Sequence, residues 1–224
     1  MKKVNIAIIG GVSVLLLAGV TLAILLARPA QAQGQAATPL VVGACDCQES
    51  SFGDLTADSL RAAGNADLGL IGSISFRTGT VAPGPVTADR VSALLANPDE
   101  TWAVSRLTGA QLRAALEHAV RTAPLPNSSF LQVSGLAFTY GQSAPRDQRV
   151  SSVAVGGAPL SDGATYTVAM PLSLAKGGSG FFKFFTKEAI VTQGTTSLAA
   201  AVADYAQRQG TVSYTGTGRI TAAP

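Results

Sequence analysis

Phe130-Leu131-Gln132-Val133-Ser134-Gly135 is the stretch on which the reading of this chain turns. It reads as a strand running into a glycine, and residues 136–140 read as a second strand directly after it. Upstream, a proline-containing loop at residues 123–129 separates it from the clearest helix, residues 108–121. There Leu112, Leu116, Ala119 and Val120 recur at helical spacing, with Arg113, Glu117 and Arg121 on other faces. Downstream, residues 150–155 and 165–170 read as strands, with Gly156-Gly157 and Ser161-Asp162-Gly163 marking the turns between them. A last helix at residues 197–208 places Leu198, Val202 and Tyr205 on one face and stops at Gly210.

The first half continues the mixture. Residues 54–63 read as a helix stopped by Gly64-Asn65, residues 68–74 as a buried apolar strand, and Thr87 as the cap of a helix over residues 88–96. The chain has 224 residues, 47% of them hydrophobic and only 13% charged, which excludes a disordered chain and leaves room for one domain plus a leader. The fold class is α+β, with strands and helices mixed along one domain.

The N-terminus reads as a targeting element. Lys2 and Lys3 precede an apolar stretch at residues 4–27, and Ala30-Gln31-Ala32 has the small-x-small form of a cleavage site. Its length also reaches the roughly 20 residues that span a bilayer. Cleavage after Ala32 and retention as a membrane anchor both stay open, and both carry the domain out of the cytoplasm. The resulting division is a signal or anchor at 1–32, a flexible tether at 33–44 and a domain at 45–224.

Charge and cysteine content narrow the function further. Removing Lys2, Lys3 and Arg28 from 16 basic residues leaves 13, against 13 acidic ones, so the net charge gives no case for nucleic-acid binding. Cys45 and Cys47 form a lone Cys-x-Cys pair; a disulfide is open, whereas a zinc site lacks two further ligands nearby. His118 is the sole histidine and falls inside a helix, where packing or surface placement is its expected role. A serine nucleophile has no Gly-x-Ser-x-Gly elbow, and no catalytic residue, metal or cofactor is assigned.

Four motifs in order carry a family resemblance. They are Gly53-Asp54-Leu55-Thr56-Ala57-Asp58-Ser59-Leu60-Arg61, Leu107-Thr108-Gly109-Ala110-Gln111-Leu112, the opening stretch at 130–135, and Gly177-Gly178-Ser179-Gly180-Phe181. Together they resemble the C-terminal domain of the 5'-nucleotidase family over about residues 49–220. The resemblance implies a domain that grips the nucleoside part of a substrate, while a separate N-terminal domain with two metal ions hydrolyses the phosphate ester. It also implies substrate-binding roles for Arg77, which stands where the family's loop arginine stands, and for Phe130, one of two rings that sandwich the base. Gly72 replaces that loop's Asn, Ser173 replaces the second ring, and Ser179 replaces the Asp that meets the ribose.

Three functions follow from the resemblance with these departures. The first is an exported, non-catalytic scaffold or interaction protein of the cell envelope. Next comes the specificity subunit of a split nucleotidase, partnered by a separate metallophosphoesterase chain. The third is a nucleoside- or nucleotide-binding module.

Overall fold

The computed structural model describes residues 33–43, 47–216 and 218–224. The leader expected at residues 1–32 and Cys45 lie outside the described residues. The strands are Gln35–Ala36 (β1), Leu40–Val42 (β2), Leu68–Gly72 (β3), Gly79–Val81 (β4), Gly84–Pro85 (β5), Thr101–Thr108 (β6) and Leu131–Ser134 (β7). They continue with Leu136–Gly141 (β8), Val150–Val155 (β9), Ala158–Pro159 (β10), Thr165–Pro171 (β11), Ile190–Ser197 (β12), Thr211–Val212 (β13) and Ile220–Ala223 (β14). The helices are Ser51–Ala63 (α1), Ala88–Ser92 (α2), Gly109–Val120 (α3), Leu172–Ala175 (α4) and Leu198–Gln209 (α5).

A five-stranded sheet in the order β12-β6-β11-β3-β7 forms the middle of the domain; β3 and β11 run parallel and the other neighbours antiparallel. Because side chains alternate across a strand, a sheet buried on both faces feeds two cores. From β6, Trp102 and Val104 enter one core, and Ala103 and Leu107 the other. Helices α1 and α5 cover the first face through Phe52, Leu55, Leu60, Leu198 and Val202. Helix α3 covers the second through Leu112, Leu116, Ala119 and Val120, beside a sheet in the order β10-β9-β8-β14. This is an α+β fold, as the sequence indicates.

Local chemistry sets the helix ends. The Ser50 hydroxyl accepts from Gly53 N at the start of α1, and Ser197 from Ala200 N at the start of α5. Thr108 and Gln111 form a reciprocal capping box at α3. Helix α1 lies so close to β3 that a Cβ on Gly69 would fall 2.2 Å from the Ala57 carbonyl oxygen.

Three segments differ from the sequence expectation. The helix at 88–96 stops at Ser92, because residues 93–96 turn to pair with the earlier segment at residues 75–77: Arg77 N donates to Leu94 O and Ala96 N to Ser75 O. The strand at 68–74 ends at Gly72 and becomes a 3-10 turn, Ser73–Ser75, whose first amides bond to the segment before β7. The stretch read as a tether contributes β1, which pairs with β13 and β5, and β2, whose Leu40 is fully buried. Its polar composition conceals the few apolar side chains that dock it.

Candidate functional site

The turn after β3, the segment leading into β7 and the glycine turn after α4 meet through backbone hydrogen bonds. Ser73 N donates to Phe130 O over 2.8 Å and Ile74 N to Ser128 O over 3.1 Å. The Ser129 hydroxyl donates to Ser179 O over 2.8 Å, crossing to the glycine turn. Asn127 steadies the middle segment, donating from Nδ2 to Ala119 O and accepting from Ser129 N. Ser173, before the glycine turn, is exposed and donates its backbone N–H to Glu100 Oε1 over 2.8 Å. Two of the four motifs quoted from the sequence, at 130–135 and 177–181, therefore share one neighbourhood with the turn after β3.

Phe130 is only 1% exposed and packs into the core under α3. It also contributes to the lining of a cleft of about 490 Å³. The cleft's other aromatic wall is Tyr140 of β8, and its polar rim includes Gln48, Glu49 and Gln142. Residues 220–222 of β14 close one side. With Phe130 and Tyr140 only 1% and 2% exposed, the rings back the cleft, and amides and a carboxylate stand at its edge. Arg77 lies elsewhere: it is exposed, is not among the cleft's lining residues, and donates from Nη2 to Ala96 O over 3.0 Å.

The cleft wall is held by an ionic cluster that the sequence reading did not pick out. Glu49, on the rim, accepts the backbone N–H groups of Arg219 and Ile220, the latter over 2.8 Å. The Arg219 guanidinium bonds both oxygens of Asp58, Nη1 to Oδ1 over 2.8 Å and Nη2 to Oδ2 over 2.9 Å. Nη1 also donates to Val133 O, and Tyr214 and Ser134 hydroxyls donate to Asp58. Asp54, one helical turn before Asp58, lies 3.6 Å from Arg219 Nε, and its Oδ1 is buried without a hydrogen-bond partner.

Two carboxylates, Asp54 and Asp58, thus face one guanidinium, while Glu49 meets the Arg219 backbone. Burial pushes the Asp54 carboxyl up to about 8; Arg219 opposes this, and the neighbouring Glu49 and Asp58 add to it. Asp54 is the carboxyl that keeps its proton at neutral pH, which removes one unpaired charge from the interior. Asp58 moves the other way. Burial raises it, but the hydrogen bonds from Arg219, Ser134 and Tyr214 prevail and hold it below the usual carboxylate range. The signal available in the sequence was an Asp pair four residues apart within an apolar helix.

Among the described residues, no three His, Cys, Asp or Glu side chains come together as metal ligands. Cys47, which lines the cleft, is disulfide-bonded. His118 projects from α3 toward the glycine turn, its ring 4.7 Å from that of Phe181.

A family model described as the 5'-nucleotidase C-terminal domain matches residues 30–187. The snake venom 5'-nucleotidase of Naja atra is 30% identical over 145 residues, which cover 61% of this chain and 27% of the venom protein. A solved 5'-nucleotidase precursor from Thermus thermophilus superposes with a TM-score of 0.75 at 30% identity, over 93% of this chain and 43% of that one. The NAD nucleotidase of Haemophilus influenzae shares the fold, with a TM-score of 0.72 at 17% identity over 88% of this chain and 39% of its own. The chain therefore spans less than half the length of each of these relatives.

Proposed function

Since this chain belongs to the 5'-nucleotidase family, as a C-terminal domain of it, we propose that it is a recognition module for a nucleoside-type ligand. The observation that carries this reading is the coincidence at Phe130. The residue that the family resemblance assigns to the base also lines the 490 Å³ cleft. A purine or pyrimidine would lie against the edge of Phe130 and Tyr140, with Gln48, Gln142 and Glu49 reading its polar rim. Because both rings are almost fully buried and a serine stands at 173, stacking is weaker than in a two-ring sandwich, by about 1–3 kcal/mol. Weaker binding than a full nucleotidase site follows.

Hydrolysis requires two metals held by several His, Asp and Asn side chains, and the chain has one histidine. Phosphate-ester cleavage is accordingly assigned to a metallophosphoesterase, with this domain supplying specificity. The leader pattern at residues 1–32 and the precursor status of the Thermus relative support work outside the cytoplasm. Calorimetric titration of the purified chain with adenosine and AMP tests the reading; no heat up to millimolar ligand would overturn it.

A second reading rests on a different observation. Ile74, Leu125 and Phe182 are 55%, 66% and 65% exposed, and all three sit in or beside the loops that meet at Phe130. Large apolar side chains left open at one neighbourhood suit a protein partner. The partner is the metallophosphoesterase, or an envelope protein if the domain acts as a scaffold. Retention of a metallophosphoesterase on immobilised native chain, lost in Leu125→Asp with Phe182→Asp, tests this reading; equal retention by the double variant would remove it.

A further inference from the structure

The cleft beside Phe130 has a one-sided charge. Among the described residues that line it, Glu49 is the one charged side chain, and no Lys, Arg or His joins it. The other polar side chains there, Gln48, Gln142 and Thr221, are neutral. Glu49 accepts the backbone N–H groups of Arg219 and Ile220, both uncharged amides. Such bonds steady a carboxylate without removing its charge.

The nearby cations are turned to other partners. Arg219 precedes the lining residue Ile220, but its guanidinium reaches both oxygens of Asp58 and the Val133 carbonyl. Asp58 offsets that cation, so the Glu49 charge is left over at the rim. Arg149 reaches the residue before Pro124, where its Nη1 donates to Ala123 O and also to Val120 O. Arg77 is engaged with Ala96 O and stands outside the lining. An anion site is built differently, from guanidinium forks or N–H groups aimed together at the ligand. Here the adjacent amides of Arg219 and Ile220 are already taken by Glu49.

We propose that the cleft selects uncharged nucleosides over phosphorylated nucleotides, with Glu49 setting the preference. The inference rests on the nucleoside reading of the cleft. A phosphate monoester carries about −1.5 to −2 charges at pH 7. At this rim it would face the Glu49 carboxylate with no cation opposite. Ribose hydroxyls and base N–H groups can instead donate to Glu49 and to the side-chain oxygens of Gln48 and Gln142. The module thus takes what a phosphatase releases, and the reaction that supplies its ligand is removal of phosphate from a nucleotide.

Two readouts test this in native chain and in Glu49→Gln, which keeps an acceptor for the two amides but drops the charge. The first is the ratio of adenosine to AMP affinity by calorimetry, at low and high salt. Adenosine should bind several-fold tighter to native chain, and the margin should shrink in Glu49→Gln and in high salt. The second readout needs no ligand. Thr221→Cys puts a thiol on the cleft wall, and its labelling by a cationic and by an anionic methanethiosulfonate is timed, relative to mercaptoethanol. No free cysteine competes among the described residues, and Cys47 is disulfide-bonded. The cationic reagent should be favoured several-fold, and less so once Glu49→Gln is added. AMP binding as tightly as adenosine, or an anionic reagent reacting as fast as the cationic one, would overturn the proposal. So would preferences that Glu49→Gln leaves unchanged. If neither adenosine nor AMP binds while the reagents discriminate as expected, the charge selection stands and the nucleoside reading alone fails.

Discussion

Arg219 grips Asp58 through two parallel hydrogen bonds of 2.8 and 2.9 Å between residues 161 positions apart. The pair ties the last strand to the first long helix, and Glu49 completes the tie by accepting the Arg219 and Ile220 amides. Since Glu49 and residues 220–222 also line the cleft, the same contacts that close the fold shape the cleft.

Removing one partner should be costly. Asp58→Ala leaves the guanidinium with only the Val133 carbonyl and a protonated Asp54, leaves the Ser134 hydroxyl unpaired and takes one of two partners from the Tyr214 hydroxyl. Chemical denaturation should show a loss of about 3 kcal/mol, the scale for a broken buried pair. A loss below about 1 kcal/mol would place the pair with ordinary surface salt bridges.

Asp54 makes stability depend on pH in an unusual direction. Unfolded, it ionises near 3.8, and folded it keeps its proton up to about 8. Between those values the native state binds the extra proton, so its contribution is full below 3.8 and is lost as pH rises toward about 8. The slope is at most about 1.4 kcal/mol per pH unit. Asp58 acts oppositely: its contribution is present above its unfolded value of 3.8 and is lost as pH falls through its lower folded value. Stability should therefore peak in mild acid, and Asp54→Asn should flatten the decline toward pH 8. A native chain equally stable at about pH 5 and about pH 8 would contradict this account.

Close packing of α1 on β3 gives a third expectation. Any side chain at Gly69 would meet the Ala57 carbonyl, and backbone cannot rotate aside as a side chain can. Gly69→Val should destabilise by about 1–3 kcal/mol, as over-packed cores do. Gly163→Val, where a Cβ has open space, is the control and should leave the denaturation midpoint close to native.

Much of this architecture was legible because local signals and tertiary needs agreed. Helix α3 was recognisable from its periodic Leu112, Leu116, Ala119 and Val120, and its capping box fixes the start one residue inside the expected range. Strand β9 falls where the sequence put it. Strand β6 was missed, although it lies inside the central sheet, because both its faces are buried and its apolar residues do not alternate with polar ones. Strand β12 was missed for the opposite reason: it is largely exposed and its register shifts twice against β6.

The site was legible only in part. Phe130 was assigned through the family resemblance, and it is among the residues that line the cleft. The ionic cluster was not found, since Arg219 is separated from its partners by most of the chain and no local pattern marks it. The packing of His118 on Phe181 was equally hidden, because helix α3 and the glycine turn meet only in the folded domain.

The measurement that tests the central claim most directly is a calorimetric titration of adenosine into native chain beside Thr221→Trp and Arg77→Ala. Thr221 is an exposed residue of the cleft wall, so a tryptophan there fills the cleft without entering the core. The account predicts saturable micromolar binding to native chain, abolished in Thr221→Trp, with Arg77→Ala reporting whether the neighbouring loop shares the ligand. Native-strength binding in Thr221→Trp, or no binding by native chain up to millimolar adenosine, would contradict it.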